Sequence, residues 1–326
     1  MAKIQLDLTD KKILHELDCN SRILVSKIAK KLRLSRDVIS YRMKRFLDGK
    51  LLLKYYTIID ISKLGYAAHK NFIRFQNMTE KKEKEFIEYI QNNPNVVYSA
   101  SYDGKFDIVV SSWSKSVEEL AEILKDIDRR FEGLIAERQM ATIIKGEYCV
   151  RDYLIDKKPN TKRASFGSTP QPIKIDKINK EILLALGNDS RTSSVEIAAK
   201  LNISADAVYK RISKLENSGI IQNYNIVPNE LKYPFTHYKI LISLHNLNEE
   251  KEKRLEKYCR ENKNIWYFCR CLGPWNFELD LDVKSTEEFR GLLREFKINF
   301  SNIIKDYTVM TVYKTNKYNF CPSIPK

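Results

Sequence analysis

The chain has 326 residues, 43% of them apolar, and 57 Lys or Arg against 42 Asp or Glu give a formal charge of +15. That length suits two or more domains rather than one core. No apolar run reaches the ~20 residues of a bilayer span, and residues 1–10 lack the apolar centre of a signal peptide. A membrane-spanning or exported protein is excluded as an expectation, and a cytoplasmic one is predicted. The positive excess favours an anionic partner, nucleic acid or a membrane surface.

Cys19, Cys149, Cys259, Cys269, Cys271 and Cys321 contain no C-x-x-C pair, and the four histidines are scattered. Neither a metal nor another cofactor is predicted. The thiols read as free. Cys269 and Cys271 share one strand face, which suits redox sensing or, more simply, burial.

In chain order, 7–17 reads as a helix with Asp10 near its positive end and Ile13, Leu14 and Leu17 on one face. Val25, Ile28, Ala29 and Leu32 form the stripe of a second, short helix. Ser35 then offers an N-cap, and Val38, Ile39, Met43, Phe46 and Leu47 repeat the helical spacing behind it. Helix, tight turn, helix is the pattern of a DNA reader. On the last helix Arg36, Asp37, Ser40, Tyr41, Lys44 and Arg45 are expected to face solvent, a face suited to phosphates and base edges. Arg42 lies near the apolar stripe, where it reaches either DNA or acids of the first helix. Tyr41 can pack on a sugar or thymine methyl, or cover the end of the domain. Ser21 and Arg22, ahead of the second helix, suit a phosphate or a capping role equally.

Gly49 closes the third helix and 51–61 reads as extended. From Ala67 the pattern becomes strand, helix (79–92, stopped by Pro94), strand (96–102), an Asp103-Gly104 hairpin turn, strand (106–113), helix (116–131) and strand (136–150). This βαββαβ order is that of a ferredoxin-like sandwich. One face of its sheet is left apolar, and a second copy is the expected cover.

Residues 157–172, rich in Lys, Pro, Ser and Thr, read as a linker. Beyond it the chain repeats. A shift of 169 superposes Asp7 on Asp176, Ser21-Arg22 on Ser190-Arg191, Ser35 on Ser204, Arg42 on Arg211, Tyr98 on Tyr267 and Gly104 on Gly273. The predicted fold class is α+β, two tandem units of a winged-helix-like helix-turn-helix followed by a ferredoxin-like sandwich. The domains are 1–60, 66–153, 173–228 and 235–318. In the second unit Arg191, Ser204, Tyr209, Lys210, Arg211 and Lys214 take the DNA-facing positions. Residues 1–55 carry fourteen Lys or Arg against six Asp or Glu, and residues 173–225 eight against six, so the first unit is expected to supply most of the DNA affinity.

The run from Leu6 through Asp10, Ile13, Leu14 and Leu17 to Ser21-Arg22, the I-A-K-K-L-R-L-S that follows and the Y-R-M-K-R-F helix together resemble the Lrp/AsnC family of regulators. So do Leu64-Gly65 and the G-K-F-D of the hairpin, Gly104 to Asp107. The resemblance implies a regulator, not an enzyme, that binds double-stranded DNA. It also implies a βαββαβ domain for dimerisation and an amino-acid-like effector near Tyr102, Gly104, Asp107, Gly273 and Asn276. Asn276, standing where the first half has Asp107, departs from the pattern. Family members usually carry one copy per chain, so two copies predict an intramolecular pseudo-dimer, with association of whole chains left open. A rival class is the siroheme decarboxylases, built on a similar pair of domains. They carry an arginine- and histidine-rich stretch before the L-G hinge, whereas 55–63 and 224–231 here contain neither residue type.

Overall fold

The computed structural model describes residues 3–157, 164–167 and 172–319. The first helix-turn-helix unit comprises α1 (Leu8–Cys19), α2 (Val25–Leu32) and α3 (Arg36–Asp48). Asp7 caps α1, its carboxylate accepting the Asp10 amide at 2.6 Å while the Asp10 carboxylate reaches back to the Asp7 amide. Arg33 ends α2 in the left-handed region (φ 56°), and Ser35 caps α3 by accepting from the Val38 amide. Ile13, Leu14, Leu17, Ile28, Ile39 and Phe46 fill the centre. Two residues of the expected stripe, Val38 and Leu47, lie outside it at 38% and 37% exposure. A 13-residue helix with Ile39, Met43 and Phe46 inward turns them towards solvent.

Strand β1 (Leu52–Ile59) leads to the first sandwich. It holds β2 (Ala67–Phe75), α4 (Glu80–Asn92), β3 (Val96–Asp103), β4 (Ile108–Ser114), α5 (Val117–Arg130) and β5 (Ile135–Tyr148). A short strand, β6 (Ala164–Gly167), follows. The second unit repeats the order with α6 (Lys177–Asn188), α7 (Ser194–Leu201), α8 (Ala205–Asn217), β7 (Ile221–Pro228), β8 (Thr236–Leu244), α9 (Glu249–Glu261), β9 (Ile265–Leu272), β10 (Phe277–Val283), α10 (Thr286–Asn299) and β11 (Ile304–Tyr318).

The expected cover for the open sheet face comes from within the chain, and the sheets also join at their edges. Strand order is β2-β4-β3-β11-β8-β10-β9-β5-β6, and β5 pairs back with β2, so all but β6 form a closed barrel. The long strands β5 and β11 make the two seams. Each pairs first within its own half, β5 with β2 and β11 with β8, and then crosses to the edge of the other half at β9 and β3. Closure leaves no free edge at either seam. Helices α4 and α5 cover one outer flank, with Phe86, Ile90 and Ile127 buried, and α9 and α10 cover the other.

The helix-turn-helix units are tied crosswise. β1 and β7 pair antiparallel, Tyr55 opposite Ile226 and Thr57 opposite Tyr224. The core of the first unit takes in Ile226, Tyr233 and Phe235 of the second half, and the core of the second unit takes in Ile59, Tyr66 and Trp113 of the first.

The expected linker is not structureless throughout. Within 157–172, Ala164 and Phe166 alternate inward and β6 adds to β5. Phe166 lies over Gly146, where a Cβ would sit 2.5 Å from its ring, and the Gly167 amide donates to Asp60. Apolar residues two apart suffice to dock a strand on an open edge. Cys321 lies outside the described residues.

Candidate nucleic-acid interface

On α3, Arg36, Ser40, Tyr41, Lys44 and Arg45 are exposed, Tyr41 at 67%. The capping hydroxyl of Ser35 starts this helix with its amide ends and the Arg36 side chain towards solvent. In the second unit Tyr209, Lys210 and Lys214 are exposed on α8, which Ser204 caps by accepting from the Ala207 amide. Lys210 is paired along its helix with Asp206 at 2.8 Å.

Four expected contacts are placed elsewhere. The Arg42 guanidinium donates to Asp7 at 2.6 Å and to Asp10 at 2.7 Å, clamping the reading helix to α1. Arg211 repeats this on Asp176 and Asn179. Both bonds are charge-assisted, which holds each reading helix at a set angle. Arg22 and Arg191 face each other across the two units. Arg22 donates to the carbonyls of Ser190 and Thr192 and lies over the Tyr224 ring, while Arg191 donates to those of Ser21 and Ile23 and lies over Tyr55. Between them the Ser21 and Ser190 hydroxyls bond at 2.6 Å. The Ser-Arg pair joins the units. Its partners lie about half the chain away, so local spacing pointed only to a phosphate or a cap. Arg45 is shared, bonded to both Asp10 oxygens at 2.7 Å with about half its side chain exposed.

Arg22→Ala is expected to cost about 1.5–3 kcal/mol in urea unfolding, the range for bonds to a charged donor. The salt dependence of DNA binding should not change. A shallower salt slope with unchanged stability would return Arg22 to the DNA contacts.

The five expected effector residues are structural in their placement. Tyr102 is buried in the barrel core. Gly104, at φ 142°, lets its hairpin press on Met310 of β11, and Gly273 leaves its Cα open to the Met140 carbonyl, where a Cβ would sit at 2.6 Å. Asp107 accepts the Phe75 amide at 2.6 Å and Asn276 the Leu244 amide at 2.7 Å. The two residues thus do the same job at matching turns, a job that calls for an acceptor oxygen rather than a charge.

Inside the barrel lies a charged cluster that sequence reasoning missed. Glu278 accepts from Lys70 at 2.6 Å, from Lys239 at 3.1 Å and from the Trp275 indole at 3.0 Å. Asp280 accepts from Lys239 at 2.6 Å and contacts His237 at 2.8 Å. The alternation Phe277-Glu278-Leu279-Asp280-Leu281-Asp282 reads as a strand with one wet face, but closure buries both faces. Its signal was the 169-residue shift, which sets these three acids against Val109, Ser111 and Trp113.

Comparison with known proteins agrees with this geometry. The AsnC-type helix-turn-helix domain model matches residues 6–47, and a winged helix-turn-helix DNA-binding model matches residues 175–222. The chain is 30% identical over 135 residues to an uncharacterised HTH-type transcriptional regulator of Pyrococcus furiosus, covering 41% of this chain and 89% of that protein. It is 31% identical over 123 residues to the HTH-type transcriptional regulator LrpB of Bacillus subtilis, covering 38% and 81%. Over its whole length its fold is similar to the crystal structure of the siroheme decarboxylase NirDL, with TM-score 0.62, 12% identity and coverage of 97% and 94%. The regulators match in sequence over about two fifths of the chain, the decarboxylase in fold alone. The chain belongs to the Lrp/AsnC family of HTH-type transcriptional regulators, with two such units in one polypeptide.

Proposed function

We propose that the chain is a sequence-specific DNA-binding regulator in which one polypeptide does the work of a dimer. The observation that carries this reading is the exposed face of α3, with Arg36, Ser40, Tyr41 and Lys44 presented on a helix clamped from behind by Arg42. The β1–β7 ladder and the Ser21–Ser190 contact support a fixed relation between α3 and α8. A pair of reading helices related by approximate two-fold symmetry calls for two half-sites. Because α8 has Ala205 and Ser213 where α3 has Arg36 and Lys44, the half-sites are unequal. The five residues expected near an effector sit in turns and in the barrel core, and the reading does not use them.

Selection from a random duplex pool, followed by anisotropy titration at several salt concentrations, tests the reading. The expected result is an enriched pseudo-palindrome with one stronger half, bound by one chain per duplex, with log affinity falling linearly in log salt. A pool that stays unenriched would overturn it. The rival reading, a siroheme decarboxylase, rests on the whole-chain likeness to NirDL. The cavity between the barrel and β1, about 60 Å³, is smaller than a tetrapyrrole. A Soret band on titration with siroheme, with loss of carboxyl groups, would favour the enzyme instead.

A further inference from the structure

The two halves of the barrel break their own symmetry at one place. Lys239 and Lys70 are equivalent under the 169-residue shift, and each stands opposite an equivalent residue on the neighbouring strand: Asp280 for Lys239, Ser111 for Lys70. Lys239 therefore has two carboxylates, Asp280 at 2.6 Å and Glu278 at 3.1 Å. Among the described residues Lys70 has one carboxylate, the shared Glu278 at 2.6 Å, supplemented by the Tyr267 hydroxyl at 3.5 Å and the Cys269 thiol at 3.7 Å. Where His237 supports Asp280, the first half has Ala68. Both side chains are smaller in the first half. The space they leave is part of a cavity of about 60 Å³ whose lining includes Ala68, Lys70, Tyr98, Ser111 and Trp113 of the first half and both Lys239 and its partner Asp280 of the second. Ser111 is only 6% exposed, and its hydroxyl meets no hydrogen-bond partner among the described residues. A buried hydroxyl left unpaired beside a charged amine is costly unless something occupies the space.

We propose that this cavity binds a short-chain monocarboxylate, its carboxylate standing beside Lys70 and Ser111 as the Asp280 carboxylate stands beside Lys239. At ~10–15 Å³ of such volume per water-sized group, the space suits roughly four to six non-hydrogen atoms, the size of acetate to butyrate. Lys70 supplies the charge-assisted bond, Ser111 donates its hydroxyl proton, and the Tyr98 and Trp113 rings cover the alkyl end. The site is independent of the DNA face and does not depend on the regulator reading.

Isothermal titration calorimetry of the full chain with propionate tests this, with propionamide as the uncharged isostere and alanine as the zwitterion. Saturable binding of one propionate per chain is expected, with propionamide weaker by roughly tenfold or more because the charge-assisted bond is lost, and alanine weaker by a similar factor because its ammonium would be buried without a partner. Ser111→Asp builds the missing carboxylate into the wall and should abolish propionate binding while leaving the melting temperature equal or higher. Should that variant fail to fold, Ala68→Val fills the space from the opposite strand and should also abolish binding. Absence of saturable heat with the parent chain, equal binding of propionamide, or undiminished binding by a folded Ser111→Asp or Ala68→Val variant would each overturn the proposal.

Discussion

Replacing Arg36 and Lys44 together by alanine is expected to lower the slope of log affinity against log salt by about 1.8 and to weaken DNA binding about 60-fold at 0.1 M salt relative to 1 M. The figure follows from two phosphate contacts, each worth ~0.9 in slope and thus roughly eightfold over that tenfold salt range. Both residues are exposed on α3, so their loss removes charge and leaves the core alone. Arg45 is left out of this variant because its guanidinium bonds to Asp10, and its removal would confound binding with stability. Lys210→Ala with Lys214→Ala in the second unit is expected to lower the slope by less than ~1. Lys210 is already paired with Asp206, and the second unit carries eight basic against six acidic residues where the first carries fourteen against six. Anisotropy titrations of both folded variants on one duplex decide it. A larger loss from the second pair would reverse the order of the two units.

The elements could be read in the sequence because each rests on local chemistry. Apolar spacing, the cap at Ser35 and the Asp103-Gly104 turn act within a few residues of themselves, whereas Asp7 and Thr79, read as the first residues of their helices, are the caps that precede them. The internal repeat could be read because the register survives through both units, so that β5 starts at Ile135 and β11 at Ile304, 169 residues later. What could not be read is what the halves do to each other. Arg22 and Arg191 stand beside the turn in a position that suits a phosphate, and only the folded pair brings the other unit's carbonyls to them. Lys70, Lys239, Glu278 and Asp280 look like the wet face of an antiparallel sheet, the usual reading of such alternation. Barrel closure at two seams turned that face inward and made four solvated charges into one buried network. The basic face of α3 was legible in the residues themselves, although Arg42 and Arg45 show that basic charge on such a helix serves the domain as well as its partner.

Glu278→Ala is expected to destabilise the chain by about 3–5 kcal/mol, the cost of leaving buried charge without its counter-ion. Glu278 is fully buried and serves Lys70 of the first half and Lys239 of the second at once, so it joins the halves at the centre of the barrel. Without it Lys70 keeps no carboxylate within ion-pair distance among the described residues, and Lys239 keeps Asp280 alone. The pH dependence supplies a second readout. Burial works against ionisation of Glu278, yet the charges of Lys70 and Lys239 outweigh it and hold the carboxyl below its usual range. Asp280 is lowered likewise, burial being overcome chiefly by Lys239 and by the bond from His237. A carboxyl whose folded-state pKa is depressed stabilises the fold above its unfolded value, near 4, and that contribution is lost as pH falls through the folded value. The parent chain should therefore lose stability steeply below about pH 4, and Glu278→Ala should show a lower but flatter curve there. Lys70→Met in the same background should recover part of the loss, because the pair is coupled and removing both members costs less than the sum of the single changes. Urea unfolding at pH 7 and at several acid pH values measures all three variants. A Glu278→Ala chain within about 0.5 kcal/mol of the parent at pH 7, the range of an ordinary surface substitution, would show that the network does not hold the two halves together.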